Sequence, residues 1–216
     1  MAKPSPDIPT QRCDLAPALL KGALHTHTSY SDGELSPLKV LEVYRDLRFD
    51  FIALTDHDFL MSPDAYQDVP DEFHGMLVFK GVEKTIFARG YFHINEIHGD
   101  REVIQIFDHP ADYHLTLDRL IERINEIQGM MPLHAIEVTS NGYYTPEYDI
   151  EKIPYPKVAS DDSHTAEGCG RAWVEVACAK ERDAIIRAIK NGGARICYKW
   201  IAGQSAWKNK GEVLGD

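Results

Sequence analysis

A chain of 216 residues with 44% hydrophobic, 26% charged and 10% aromatic content has the composition of one soluble globular domain with a sizeable core, which excludes a disordered chain and a disulfide-stapled miniprotein. Lys and Arg total 23 against 34 Asp and Glu, a formal charge of −11 that argues against long nucleic acids and anionic membranes as partners. The longest apolar runs are four-residue pieces such as Phe51-Ile52-Ala53-Leu54 and no signal-type stretch follows the start, so a cytoplasmic protein without a membrane anchor is expected. Cys13, Cys169, Cys178 and Cys197 form no CxxC pair and read as free thiols of a reducing compartment.

Residues 1–19, with Pro4, Pro6, Pro9 and Pro17, read as an N-terminal arm without chemistry. The domain proper is expected over 20–198. It opens with a short strand at 23–24, followed by a helix with Ser36 as N-cap and Pro37 at its first position, which groups Leu38, Val40, Leu41, Tyr44 and Leu47 on one broad face. Strands are expected at 51–55, 76–80, 91–94 and 103–107. A second helix spans 115–128, where Leu117, Leu120, Ile121, Ile124 and Ile127 keep the helical rhythm and Gly129 supplies the stop. Strands at 133–138 and 157–159 follow, then a helix over 181–191 with Ile185, Ile186 and Ile189, ending at Gly192-Gly193. The tail, 199–216, carries Trp200, Ile201 and Trp207 and is expected to pack on the domain at the barrel base, because aromatics of that size bury. Short strands alternating with helices predict an α/β fold, and about seven of them in one domain suggest a small barrel.

The reactive residues gather where strands end, which is where α/β barrels carry their chemistry. In Leu24-His25-Thr26-His27 the two imidazoles are two apart on a strand, point the same way and reach one metal ion. Leu54-Thr55-Asp56-His57-Asp58 ends an apolar strand with a histidine between two carboxylates that can fix its tautomer. Glu83 follows the run 76–79, His93 sits in Tyr91-Phe92-His93-Ile94, and Phe107-Asp108-His109-Pro110 adds another imidazole. Ser160-Asp161-Asp162-Ser163-His164 repeats the same-face geometry with a carboxylate and an imidazole. His98, five residues beyond His93, is the competing donor, and His93 is preferred because it follows a short apolar-aromatic run.

HxH, TDHD, Glu83, DHP and SDDSH come in an order and spacing that resembles the PHP family, the polymerase and histidinol phosphatase phosphoesterases, over residues 22–197. The resemblance implies a distorted seven-stranded (β/α) barrel with a trinuclear site. One ion would sit between His25, His27, Glu83 and Asp162, a second would share Glu83 and add His93 and His109, and a third would use Asp32, His57 and His164. The Ser-Asp-Gly version around Asp32 looks like the subgroup of small nucleotide phosphatases and short-oligonucleotide exonucleases.

Three divalent ions would bring +6 and Asp32, Glu83 and Asp162 −3, so the pocket is near about +3 and attracts a phosphate dianion. Mixed imidazole and carboxylate donors suit Mn²⁺, Fe²⁺ or Zn²⁺. The expected reaction is hydrolysis of a small, nucleotide-like phosphomonoester by a hydroxide bridging the ions, with Asp162, Glu83 and His164 as the catalytic group. Asp56, Asp58 and Asp161 are expected to support the ligands from behind, Glu137 to lie at the periphery, and Arg171 and Lys84 to contact phosphate. Intervals of 24, 15 and 24 residues between Asp58 and Glu83, His93 and His109, and Glu137 and Asp162 hold no cap domain, which favours an open mouth. The rival readings are an exonuclease on short oligonucleotides, an amidohydrolase-type barrel and a non-catalytic metal-binding PHP module.

Overall fold

The computed structural model describes residues 19–62 and 64–203; the arm over 1–18 with Cys13, and the tail beyond 203 with Trp207, lie outside them. In chain order the elements are β1 (Leu19–Ala23), α1 (Pro37–Asp46), β2 (Phe51–Leu54), β3 (Glu72–Phe73), β4 (Met76–Phe87), β5 (Tyr91–His98), β6 (Val103–Phe107), α2 (Leu117–Gln128), β7 (Ala135–Glu137), β8 (Thr139–Ser140), β9 (Tyr143–Tyr144), β10 (Lys157–Val158), β11 (Ala172–Ala177), α3 (Arg182–Lys190), β12 (Ala194–Tyr198) and β13 (Trp200–Ile201). Every strand and helix expected from periodicity is present. The additions are mostly antiparallel: β11 lies between β1 and β12, antiparallel to both.

The main sheet has ten strands, ordered β10-β7-β6-β5-β4-β2-β1-β11-β12 with β3 on the edge of β4. Its register is parallel at β1–β2, β2–β4, β6–β7 and β7–β10 and antiparallel at β4–β5 and β5–β6. It is therefore a mixed, nearly closed barrel with three α-helices among the described residues, a barrel as expected, but with ten strands in its sheet where a distorted seven-stranded (β/α) barrel was expected. The reason lies in the β4–β6 segment, where connections of a few residues leave no room for crossover helices and so enforce antiparallel pairing.

Hydrogen bonds close the sheet beyond the last residues of β1 and β10. Leu24 N donates to Ser160 Oγ (3.2 Å), His27 N to Ser163 O (3.0 Å) and Glu34 N to His164 O (2.8 Å). The HxH ribbon and the SDDSH ribbon are thus hydrogen-bonded neighbours across the seam.

Alternation along β2 divides the core. Phe51 and Ala53 face the barrel interior with Phe79, Ile104, Ile106 and Val174, while Ile52 and Leu54 face α1, whose Val40, Leu41 and Tyr44 bury against them. α1 starts as expected, with Ser36 as N-cap and Pro37 first, but Leu38 stays half exposed. α2 packs Leu120, Ile124 and Ile127 on the outer face of β5 and β6. α3 joins the interior cluster through Ile185, Ile186 and Ile189. The tail's Trp200 and Ile201 pair with Tyr143 and Tyr144 of β9, just beyond β7 on the closed, ligand-bearing end and not at the base.

Gly22 of β1 sits so close to β2 that an added Cβ would lie 2.0 Å from ring atoms of the fully buried Phe51. Gly22→Ala is expected to destabilise the domain by about 1–3 kcal/mol, read as a lower urea midpoint with an unchanged m-value.

Candidate metal centre

At the closed end the strands release their side chains into a common space. β1 runs on into His25 and His27, which are two residues apart and both buried; Thr26 between them turns away and pairs with Ser163. Glu83 lies in mid-β4 because that strand continues four residues past it, and it bridges to His57 at the end of β2. β5 is antiparallel to β4, so its beginning reaches the site: His93 stands opposite Thr85. His98, at the far end of that strand, is half exposed and pairs with Glu96 (3.1 Å), which leaves His93 as the donor brought to the site.

Glu83 is the hub. Its Oε1 lies 2.7 Å from His93 Nδ1, 3.2 Å from His109 Nε2 and 3.4 Å from His25 Nε2, and its Oε2 lies 2.8 Å from His57 Nδ1 and 3.3 Å from His27 Nε2. Asp162 Oδ1 is 3.2 Å from both His25 Nε2 and His27 Nε2, and these two nitrogens are 3.1 Å apart. At the mouth Asp32, 45% exposed, faces His164 Nε2 (3.3 Å), His57 Nε2 (3.5 Å) and His27 Nδ1 (3.5 Å). The nine residues expected as ligands are all here. They fall into overlapping sets that could each hold an ion: His25, His27 and Asp162; His25, Glu83 and His109; His57, Glu83 and His93; and His27, Asp32, His57 and His164. The expected trio of Asp32, His57 and His164 is joined by His27, and Glu83 stands between His93 and His109.

The donor set fits divalent cations. Buried Glu83 Oε2 and the Nδ1 atoms of His57, His93 and His109 have no hydrogen-bond partner, although His57 Nδ1 stands 2.8 Å from Glu83 Oε2 and His93 Nδ1 2.7 Å from Glu83 Oε1. Nitrogen and oxygen lone pairs aimed into one dry space are what a cation satisfies. Electrostatics point the same way. Burial opposes charge on His25, but the carboxylates of Asp162, Glu83 and Asp108 outweigh it and hold the imidazole well above its ordinary value. His27 is raised against the same burial penalty by Asp162 and Glu83, and His109 is raised to about 9, chiefly by Glu83. In return, and again against burial, His25 leads the imidazoles that hold Glu83 and Asp162 far below the usual carboxylate range.

Two carboxylates stand behind the cluster. Glu137 Oε2 is 3.3 Å from His25 Nδ1 and accepts from His109 N (3.1 Å), so the residue expected at the periphery touches two ligand residues. Asp108 was not among the expected site residues. Both its oxygens are buried without partners, 3.9 Å from His25 Nδ1 at the nearest, and burial raises its pKa. Its signal was its place beside His109 at the end of an apolar strand.

The supporting residues act through hydroxyls and backbone amides. Asp56 is fully buried and accepts from Thr28 N (2.8 Å), Thr28 Oγ1 (2.8 Å), Ser31 Oγ (2.5 Å) and Tyr66 OH, which fixes the turn carrying Asp32. Asp161 accepts from Tyr44 OH (2.8 Å), Gly170 N and Arg171 N (3.3 Å); burial lifts it to about 7 against those bonds. Asp58 is exposed and accepts from Thr85 N (3.3 Å). Asp162 (φ 47) and His109 (φ 27) hold left-handed backbones, a conformation that clusters at functional sites.

Neither expected phosphate contact reaches the cluster. Lys84 follows Glu83 on a strand, so it points to the opposite face, where it pairs with Glu96 (2.8 Å). Arg171 lies beneath Gly142 and donates Nε to Glu167 O (3.1 Å). The open cavity over the cluster, about 350 Å³, is walled instead by Asp112, Tyr113 and Asn141 besides the ligand residues.

The comparisons with known proteins come to the same fold. A family model described as PHP-associated matches residues 150–193, the stretch with Asp161, Asp162, His164 and α3. The structure is similar to a two-domain protein from Bacteroides vulgatus containing a predicted PHP-like metal-dependent phosphoesterase, at TM-score 0.63 and 21% identity over 92% of this chain and 70% of that one. It is also similar to a candidate metal-dependent phosphoesterase from Bifidobacterium adolescentis (TM-score 0.53, 14% identity, 68% and 89% covered). An amidohydrolase from Chromobacterium violaceum with bound sulfate shares the fold as well (TM-score 0.55, 16%, 82% and 97%). No curated protein matches the sequence. Among the described residues no helix is long and apolar enough to cross a membrane.

Because His25, His27 and His109 are raised in the metal-free chain, metal must displace protons. Affinity for Zn²⁺ or Mn²⁺ is expected to fall as pH falls from 8 to 6, by about tenfold per unit for each proton displaced, with proton release visible as a buffer-dependent heat in titration calorimetry. Glu137→Gln keeps the shape but weakens the hold on the His25 ring, and is expected to lower metal affinity by about 10–100-fold in the same titration.

Proposed function

We propose that the chain is a PHP-type, metal-dependent phosphoesterase that hydrolyses a small phosphate ester, nucleotide-like in size, at a site for three divalent ions of Mn²⁺, Fe²⁺ or Zn²⁺. The observation that carries this reading is the convergence of six imidazoles and the carboxylates of Asp32, Glu83 and Asp162 in overlapping sets beneath an open mouth. His25, His27, Glu83 and Asp162 would hold one ion, Glu83 with His93 and His109 a second, and Asp32, His57 and His164 a third. Divalent ions at such a site supply Lewis acidity and bring the pKa of water toward about 7.

The chain's own part is positioning. Glu83 is buried and Asp162 nearly so, and the surrounding imidazoles hold both carboxyls ionised where a phosphate would arrive. His164 donates Nδ1 to the Asp162 carbonyl (3.0 Å), which turns Nε2 toward Asp32 and the mouth. Asp112 and Asn141 wall the opening without closing it, which suits a terminal phosphate.

The amidohydrolase reading draws on one similar structure, but it leaves Asp32, His57 and His164 without a task. The test is phosphate release by Mn²⁺-loaded protein across nucleoside monophosphates, a 3′,5′-bisphosphate, histidinol phosphate, sugar phosphates and a 5′-phosphorylated dinucleotide, with chelator controls. Chelator-sensitive release with a preference for a small monoester is expected. Preference for the dinucleotide supports the exonuclease, and silence on every ester with metal bound overturns catalysis on phosphate. Asp162→Ala is expected to lower kcat by more than about 100-fold, beyond the loss typical of outer-shell changes, while the thermal midpoint stays folded-like.

A further inference from the structure

Across the Tyr113 ring from the candidate metal centre lies a second cavity of about 290 Å³, lined by Arg89, Tyr91, Phe92, Tyr113, Arg119 and Arg123 among others. It opens between the turn joining β4 to β5 and the first turns of α2. Tyr113 walls both cavities, and its hydroxyl accepts from the backbone N of His93 (2.8 Å), so the two lie side by side.

Three arginines in one cavity of a chain carrying −11 are a local reversal of charge. Arg89 donates Nε (3.1 Å) and Nη2 (2.9 Å) to Glu126 Oε2, and the same oxygen takes Nη1 of the buried Arg123 (2.5 Å). Arg123 Nη2 reaches Glu122 (3.2 Å). Three guanidiniums thus face two carboxylates, and Arg119 has neither an ion pair nor a side-chain hydrogen bond among the described residues. Glu126 and Glu122 hold the first two arginines rigid, while Arg119, exposed in the first turn of α2, keeps its charge available beside the partial positive charge of that helix end. Tyr91, 70% exposed, adds an unburied aromatic face at the rim.

We infer that this cavity is an anion subsite that binds the second anionic group, phosphate or carboxylate, of a small substrate whose ester phosphate sits at the metal centre, with Arg119 as the contact. The inference rests on the proposed function for the location of the ester and stands alone for the anion. A substrate with two anionic ends separated by a compact body spans both cavities, and a monoanionic-ended ester uses only one.

The test has two arms. In the first, Zn²⁺-loaded full-length protein is titrated with inorganic phosphate, sulfate and acetate while amide resonances are followed. Saturable shifts at Gly90, Tyr91 and Arg119 are expected, with phosphate over acetate marking a phosphate subsite and the reverse a carboxylate one. Arg119→Gln is expected to weaken them by about tenfold; Arg187→Gln, exposed on the solvent face of α3, controls for general charge loss. No shift at these residues up to about 20 mM, or equal weakening by both variants, overturns the inference. In the second arm, the ratio of KM for a 3′,5′-bisphosphate to KM for p-nitrophenyl phosphate is expected to rise about tenfold in Arg119→Gln, and an unchanged ratio refutes the link to the substrate. If neither ester is hydrolysed but another of the panel is, the link to the substrate is refuted; silence on the whole panel overturns the proposed function, and the resonance titration still decides the anion site.

Discussion

One buried carboxylate organises the active end of this protein. Glu83 presents two oxygens to five imidazoles within 3.4 Å, more donors than a single carboxylate can satisfy in a dry space. Left as an ion pair, the arrangement would keep several buried histidines cationic and in mutual repulsion; filled with divalent ions, the same lone pairs become ligands and the protons leave. Packing around the centre follows from this demand. β4 overshoots the barrel so that Glu83 stands above the core, and β5 turns back antiparallel so that His93 can meet it.

The rigid frame for that hub is the seam between the β1 and β10 ribbons. Neither ribbon has enough apolar side chain at this level to be held by burial, so buried carboxylates behind it do the holding. Asp56 gathers the Thr28–Ser31 turn, and Asp161 ties the SDDSH ribbon to Tyr44 of α1 and to the backbone at Gly170. These groups touch hydroxyls and amides and not the imidazoles, which places the acidic neighbours of the ligands in two different jobs: Asp162 in the cluster, Asp161 beneath it. The chain turns between them, where Asp162 holds a left-handed backbone (φ 47).

Beyond the cluster, the surface around the mouth divides by charge. Acidic Asp32 and Asp112 stand over the ligands, whereas the arginines collect one step away beside α2. The Tyr113 ring stands between this patch and the cavity over the cluster.

Much of this could be read from residue order. Strand-end donors at HxH, TDHD, DHP and SDDSH, with Glu83 after an apolar run, followed from same-face spacing on strands and the habit of barrels to put chemistry at one end, which are local rules, whereas the full set of nine with Asp32 was what the family resemblance implied. The helices were legible for the same reason: their apolar stripes and Gly stops are short-range. What needed the folded chain was everything decided by contacts between distant segments. The antiparallel return of β5, the added strands β11 and β12, the outward turn of Lys84 and Arg171, and the roles of Asp108 and Glu137 behind His25 depend on which face meets which neighbour, and periodicity says how a strand alternates but not what lies opposite it. The three arginines of the second cavity come from the β4–β5 turn and α2, more than 25 residues apart in the chain, so only packing of that turn against that helix makes them one site.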